Sequence, residues 1–213
     1  MQCLLVSVHP LAGSLCHTLV AHIHKSLAAA GHTVVAEDLY ANNFEPALSP
    51  AERQSYYAAA YDTQAVAECA DRLLNAQALV LVFPTWWFGF PAILKGWFDR
   101  VWAPGVAYDH AKNFGPITPR LMQLRRVLVV TTLGSPWWVD KLVMWQPVKR
   151  ILKTAILGTC VRGCQFDMLS LYQSEQLTPA KVQAFQQRIT AKLQRWQKTQ
   201  APAKGYRRCK TWK

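Results

Sequence analysis

Apolar positions along the chain fall into two patterns, short continuous runs and longer stretches that repeat about every fourth residue. The first run, Cys3-Leu4-Leu5-Val6-Ser7-Val8, is rich in strand formers and stops at His9-Pro10. It predicts a strand buried on both faces. Ser14 is placed to cap a helix in which Leu15, Leu19, Ile23 and Leu27 form one face, ended by Gly31. His32 to Leu39 reads as a second strand, and the alanine-rich stretch from Glu52 to Asn75 reads as mostly helical. Ala78 to Phe83 is a third strand, apolar throughout and broken at Pro84, and Pro91 suits the first turn of a helix running to about Trp102. A polar loop then leads to a fourth strand, Arg126 to Thr132. A basic helical stretch interrupted at Pro147 follows, and a fifth strand lies within residues 160–172. Thr178-Pro179 opens a last helix with Val182, Phe185, Ile189, Leu193 and Trp196 on one side.

Fully apolar strands that alternate with helices require a parallel sheet covered on both faces. The expected fold is therefore α/β: a doubly wound five-stranded sheet of the flavodoxin-like order 2-1-3-4-5, spanning residues 1–197 and followed by a basic tail, 198–213. No GxGxxG follows the first strand and no GxxxxGK[ST] occurs, which counts against ordinary dinucleotide-binding Rossmann enzymes and P-loop NTPases. In an open parallel sheet, ligands bind beyond the carboxyl ends of the strands where the strand order reverses. Three loops emerge there. His9 to Ser14 leads into a helix N-terminus suited to phosphate, and Pro84 to Gly89 and Thr131 to Trp138 each carry a Trp-Trp pair. A phosphate-ready turn beside flat aromatic walls suits a planar ring that carries phosphate, and a flavin nucleotide is the obvious candidate.

Composition narrows the picture. Hydrophobic residues make up 51 % and charged residues 17 % of the 213, too apolar for a disordered chain. No run approaches the roughly 20 apolar residues of a membrane-spanning helix, and the N-terminus makes a poor signal peptide, so a cytoplasmic protein is expected. The formal charge of +12 is unevenly placed. Residues 1–90 carry seven acidic and three basic side chains, and the remainder carries five and 21, six of the basic ones in the tail from Lys198. Such a tail reads first as a solvated terminus, and a basic surface would also draw anionic ligands inward. The six cysteines are scattered, with one close pair at Cys160 and Cys164, and supply no zinc motif; most read as small buried hydrophobes.

The segment Phe83-Pro-Thr-Trp-Trp-Phe-Gly-Phe-Pro-Ala-Ile-Leu-Lys-Gly-Trp-Phe-Asp-Arg-Val-Trp102 resembles the hallmark segment of the NAD(P)H:quinone oxidoreductase (DT-diaphorase-like) flavoproteins. The resemblance runs from the first strand through Asp38-Leu39-Tyr40-Ala41 and the Thr131-Thr132-x-Gly134 turn. It covers roughly residues 1–172 and is nearest to bacterial-type members through Gly134-Ser-Pro-Trp-Trp138. It implies that His9, Ser14, Leu15 and Cys16 lie along the flavin phosphates and ribityl chain. Pro84, Thr85, Trp86, Trp87 and Phe88 would hold the isoalloxazine edge, and Thr131, Thr132, Leu133 and Gly134 its pyrimidine end. Tyr108 and His110 match two aromatic residues that close over the substrate, commonly from a neighbouring subunit.

Departures from the family pattern limit the transfer. The Tyr and His beside the flavin in mammalian-type members fall on Val139 and Trp145, which have no titratable group. Leu15 and Cys16 replace a Phe and an Asn, so contacts to an adenine half lack their usual partners. The resemblance thus implies a homodimer carrying FAD, with FMN as the alternative, that passes two electrons from NADH or NADPH to a quinone-like acceptor by a ping-pong route. Reduction of azo or nitro compounds and regulation of a membrane potassium-efflux partner are the competing roles. Nucleic acid is not an expected partner, because the tail contains no folded base-reading motif.

Overall fold

Why the five apolar runs become one sheet is visible in the burial of the two central ones. In the computed structural model, which describes residues 1–111 and 115–197, Ala78–Pro84 (β3) and Arg126–Thr132 (β6) are buried at every position. They are flanked by Gln2–Ser7 (β1), Thr33–Asp38 (β2) and Gln165–Leu171 (β7). The order is β2-β1-β3-β6-β7 and all pairs are parallel, so the expected 2-1-3-4-5 arrangement is the one observed. The register pairs Ser7 with Val82 and Pro84 with Thr132. The loops after β1, β3 and β6 therefore leave the sheet at the same end.

Successive strand residues serve opposite faces, as the pleat demands. On one face Cys3, Leu5, Val80, Val82, Leu128 and Val130 pack with Leu15–Ala29 (α1) and Pro179–Gln197 (α7). On the other, Leu4, Val6, Leu79, Leu81 and Val129 pack with Ala67–Asn75 (α3), Ala92–Val101 (α4) and the helical segment of residues 147–160. Cys3, Cys16 and Cys160 are buried free thiols, whereas Cys69 and Cys164 are partly buried. The basic tail and Cys209 lie outside the described residues.

Three expectations change. The stretch from Glu52 to Asn75 is not one helix. A short helix, Pro50–Ser55 (α2), ends where the Ser55 hydroxyl accepts from the Asp62 amide at 2.9 Å, and helix resumes only with a tight turn before α3. Anchoring at both ends overrides the alanine propensity of the residues between. The basic stretch around Pro147 is built from wide π-type turns, Val139–Val143 and Ile151–Ile156, with short α segments Pro147–Arg150 (α5) and Leu157–Cys160 (α6). Such turns mark helices bent by tertiary demands. Finally, Tyr108–Asp109 (β4) and Thr118–Pro119 (β5) form a two-residue hairpin, too short to leave a periodic signal.

Candidate functional site

Side-chain contacts draw the three loops together. Ser14 caps α1, its Oγ accepting from the His17 amide at 3.3 Å. His9 turns back on the same loop, its Nδ1 accepting from the Leu11 amide at 3.1 Å. Cys16, one turn into α1, reaches the Thr132 hydroxyl at the end of β6, and burial pushes its thiol up to about 11 against that hydrogen bond. Thr85 and Thr131 share a hydroxyl hydrogen bond of 2.6 Å, and the Thr85 amide donates to the Thr132 carbonyl at 2.8 Å. Leu133 is buried and its amide donates to Leu171, so only its backbone faces the loop. A Cβ on Gly134 would meet the Glu175 carboxylate at 3.1 Å.

The second loop is the strained one. The Gly89 amide donates to the Trp86 carbonyl at 2.8 Å, closing a four-residue turn. Its central residues, Trp87 and Phe88, have φ of 50° and 54°. Two consecutive positive φ values are the signature of the turn that normally takes Asn-Gly. Bulky aromatic residues there store strain of order 1–3 kcal/mol each. Trp87 is fully exposed at 101 %, and the amides of Trp87 and Phe88 make no hydrogen bond among the described residues. On the neighbouring loop the buried Ser135 hydroxyl has no partner among the described residues. Unpaired donors, an orphaned hydroxyl and a flat exposed ring thus lie on loops that leave the sheet at the end where α1 begins.

Electrostatics stiffen the same corner. His17 Nε2 lies 2.8 Å from Asp38 Oδ2, and Asp38 Oδ1 accepts from the Tyr40 and Ala41 amides at 3.1 Å each. Burial alone would raise the Asp38 pKa. The amide of Ala41 and the side chains of His17 and Ser7 outweigh it and hold the carboxyl below its usual range. The Asp38-Leu-Tyr-Ala41 turn therefore fixes the ring of His17, which in turn bonds Ser14 Oγ at 3.0 Å.

Tyr108 and His110 belong to a second cluster. The Tyr108 hydroxyl bonds that of Tyr56 at 2.7 Å, His110 Nε2 meets the Tyr56 carbonyl at 2.8 Å, and the His110 ring stacks on Tyr57 at 4.8 Å. Burial, followed by the bond to Tyr56, raises the Tyr108 pKa far above its ordinary value, so this phenol keeps its proton. Among the described residues, none of these bonds or ring contacts reaches the first or third loop. Beside it lies a cavity of about 340 Å³ lined by Phe90, which follows the second loop, and by Phe98, Trp102, Tyr108 and Ile151, with Lys95 and Asp99 among its walls.

The cluster is held by α4. Arg100 is buried and its Nε donates to Glu52 Oε1 at 2.8 Å, while an Arg100 NH donates to the Glu45 carbonyl. The other Glu52 oxygen accepts from the Ser49 amide at 2.7 Å, completing a capping box on α2, the helix that ends beside Tyr56 and Tyr57. Gly96 admits the Pro46 backbone so closely that a Cβ would lie 2.2 Å from its carbonyl oxygen. Trp97 Nε1 donates to the buried Glu37 at 2.7 Å.

The chain matches a family model described as flavodoxin-like fold over residues 1–199. It belongs to the flavodoxin-like fold family. Among curated proteins it is similar to YcaK, an uncharacterised NAD(P)H oxidoreductase of Escherichia coli K12, with 38 % identity over 106 residues, 49 % of this chain and 54 % of that one. It is also similar to NAD(P)H dehydrogenase (quinone) 1 of Rattus norvegicus, 31 % identical over 152 residues, 63 % of this chain and 54 % of the relative. The chain spans about half the length of these curated relatives. Among solved structures, Smu.1420 of Streptococcus mutans UA159 superposes with TM-score 0.78 at 27 % identity, covering 92 % of this chain and all of the other. A NAD(P)H:quinone oxidoreductase of Methanothermobacter marburgensis gives 0.76 at 26 %, covering 92 % and 96 %.

Seen as a member of this family, the chain shows which site residues its sequence concealed. Tyr56 and Tyr57 lie in a stretch that reads as helix, and their partners are about 50 residues away. Tyr172, just past β7, donates to the buried Asp140 at 2.8 Å, and burial together with that carboxylate pushes its phenol up to about 12. The doublet Tyr56-Tyr57 was the available signal for the first pair. Nothing in the sequence joins Tyr172 to Asp140.

Proposed function

We propose that the protein is a flavin-dependent NAD(P)H:quinone oxidoreductase, acting as a homodimer in the cytoplasm. The observation that carries this reading is the strained turn at Trp86–Gly89, whose exposed ring and unpaired Trp87 and Phe88 amides leave the sheet at the same end as the capped start of α1. Held by these loops, a flavin would supply two-electron redox chemistry between NADH or NADPH and a quinone or similar flat acceptor.

The chain's part is binding, orientation and charge. The amides of Leu15 and Cys16 at the start of α1 suit phosphate, with the Ser14 side chain and His9 alongside. The amides of Trp87, Phe88 and Gly134 would offer donors to the edge of the ring, where negative charge would gather on reduction. Pro84 is buried at the end of β3 and Thr85 is tied to Thr131, which fixes the spacing of the two loops. Cys16 is buried and Leu15 packs on the core, leaving no side chain there to grip an adenine. This favours FMN over FAD.

Tyr108 and His110 would close over the acceptor in the dimer, Tyr108 as a phenol that keeps its proton. The test is the absorbance spectrum of purified protein, identification of any flavin released on denaturation, and stopped-flow reduction with NADH and NADPH. A yellow protein reduced by either nucleotide and reoxidised by quinones supports the reading. A colourless protein that binds neither added FMN nor FAD removes it.

A further inference from the structure

Ser14, His17 and Asp38 are joined by bonds that fix where their hydrogens lie. His17 Nε2 is 2.8 Å from Asp38 Oδ2, an acceptor, so Nε2 carries a hydrogen whether the ring is neutral or charged. On the other side of the ring, Nδ1 is 3.0 Å from Ser14 Oγ, which also accepts from the His17 amide at 3.3 Å. A serine hydroxyl has one hydrogen and two lone pairs. The charge on His17 therefore decides what Ser14 shows to a ligand. With the ring neutral, Nδ1 has only a lone pair, so Ser14 turns its hydrogen inward and presents a lone pair. With the ring protonated, Nδ1–H and the His17 amide fill both lone pairs, and the hydroxyl hydrogen is released outward. A phosphate oxygen is repelled by the first arrangement and bonded by the second.

The surroundings favour the second arrangement once an anion is present. Ser14 stands at the start of α1, a 15-residue helix with no acidic residue in its first turn, so a dianion there meets the helix dipole and the imidazolium together. The titratable groups that face the His17 ring are Asp38, on β2, and His9, on the first loop, whose ring meets it edge-on at 6.5 Å. His9 already commits its Nδ1 lone pair to the Leu11 amide, so it can offer Nε2–H to a ligand without gaining a proton. His17 is the histidine whose bonds change when it is charged.

We propose that His17, held by Asp38, takes up a proton as a phosphomonoester dianion docks against Ser14, and is thus the positioning residue that makes the site select a flavin ending in a phosphomonoester. The inference rests on the flavin reading above and names the part of the ligand that the first loop recognises. FMN ends in such a group and riboflavin lacks it. The phosphates of FAD carry one charge each, and draw the proton less strongly.

Titration of the full chain, freed of flavin, with FMN and with riboflavin tests this, read by flavin fluorescence and by binding heats in two buffers of different ionisation enthalpy. FMN affinity should rise about 10-fold as the pH falls from about 8.5 to 6.5, a window in which histidine ordinarily gains its charge and the ligand phosphate stays mostly dianionic. Net proton uptake should accompany FMN binding, and riboflavin should bind with a flat profile and no uptake. His17→Gln keeps a donor for Asp38 but cannot titrate; it should bind riboflavin as the wild type does and lose both the FMN slope and the uptake. His9→Gln should bind FMN more weakly and keep the slope. Absence of proton uptake by the wild type overturns the proposal without any variant. So does a wild-type slope in His17→Gln, or an equal slope for riboflavin, which would assign it to the fold. In each of these cases FMN still binds and the flavin reading stands, whereas binding of neither FMN nor FAD at any pH would remove both.

Discussion

Phe83 to Trp102 form one continuous stretch whose two halves obey opposite rules. In the Trp86–Gly89 turn the backbone is strained at Trp87 and Phe88, the amides of those two residues have no partner among the described residues, and an indole stands in solvent. From Ala92 to Val101 the main polar side chains are paired: Trp97 with Glu37, Lys95 with Asp99, Arg100 with Glu52 and the Glu45 carbonyl. The first half leaves donors free for the binding role proposed above, and the second is arranged for the chain. A motif that marks a family by its sequence is thus part binding loop and part clamp. The clamp's task is to hold α2 and the tyrosines that follow it.

The comparison can be broken most forcefully at Arg100. Arg100→Ala strands the Glu52 carboxylate, 2 % exposed, and should cost about 3–5 kcal/mol in urea unfolding. A loss below ~1 kcal/mol would mean that the clamp is ornamental. Next comes Trp97→Phe, which keeps the ring but removes the donor to Glu37, for a loss of about 1–3 kcal/mol. Trp87→Gly should act in the opposite direction. Releasing the positive φ should stabilise the protein without flavin by about 1 kcal/mol while weakening flavin retention on a desalting column. If flavin retention and stability fall together, the turn is structural and the contrast between the halves fails.

The smallest expected effect concerns acid. Asp38 and Glu52 are both held below the usual carboxylate range, each by hydrogen bonds that overcome burial. A depressed folded pKa adds stability that is present above about pH 4 and lost as the pH falls through the folded values. Asp38→Asn should therefore flatten the acid limb of a stability–pH curve between about pH 4 and 2 and leave its neutral end little changed beyond a constant offset. An unaltered acid limb would show that the His17–Asp38 pair contributes nothing to the first loop.

Strands were legible because a strand buried on both faces must be apolar at every position, as Ala78 to Phe83 is, and the helices of α1 and α7 because one face alone is apolar. The chain's own pattern also placed the three loops at one end of the sheet, since parallel strands joined by helices all point the same way. It misjudged residues 56–66, where alanine propensity yielded to the bonds made by Glu52 and Ser55. It was silent on the turns at Val139 and Ile151, whose widening depends on what packs beneath them.

By itself, then, the sequence determined the sheet, its order and the three loops that face the site, because period and burial are local properties of consecutive residues. Only the tertiary structure decided that Trp87 and Phe88 are strained, that Gly96 and Arg100 serve Pro46 and Glu52, and that Tyr108 rests on Tyr56. Each of these depends on contacts between residues one to five dozen positions apart, or on a backbone angle that residue type alone would forbid.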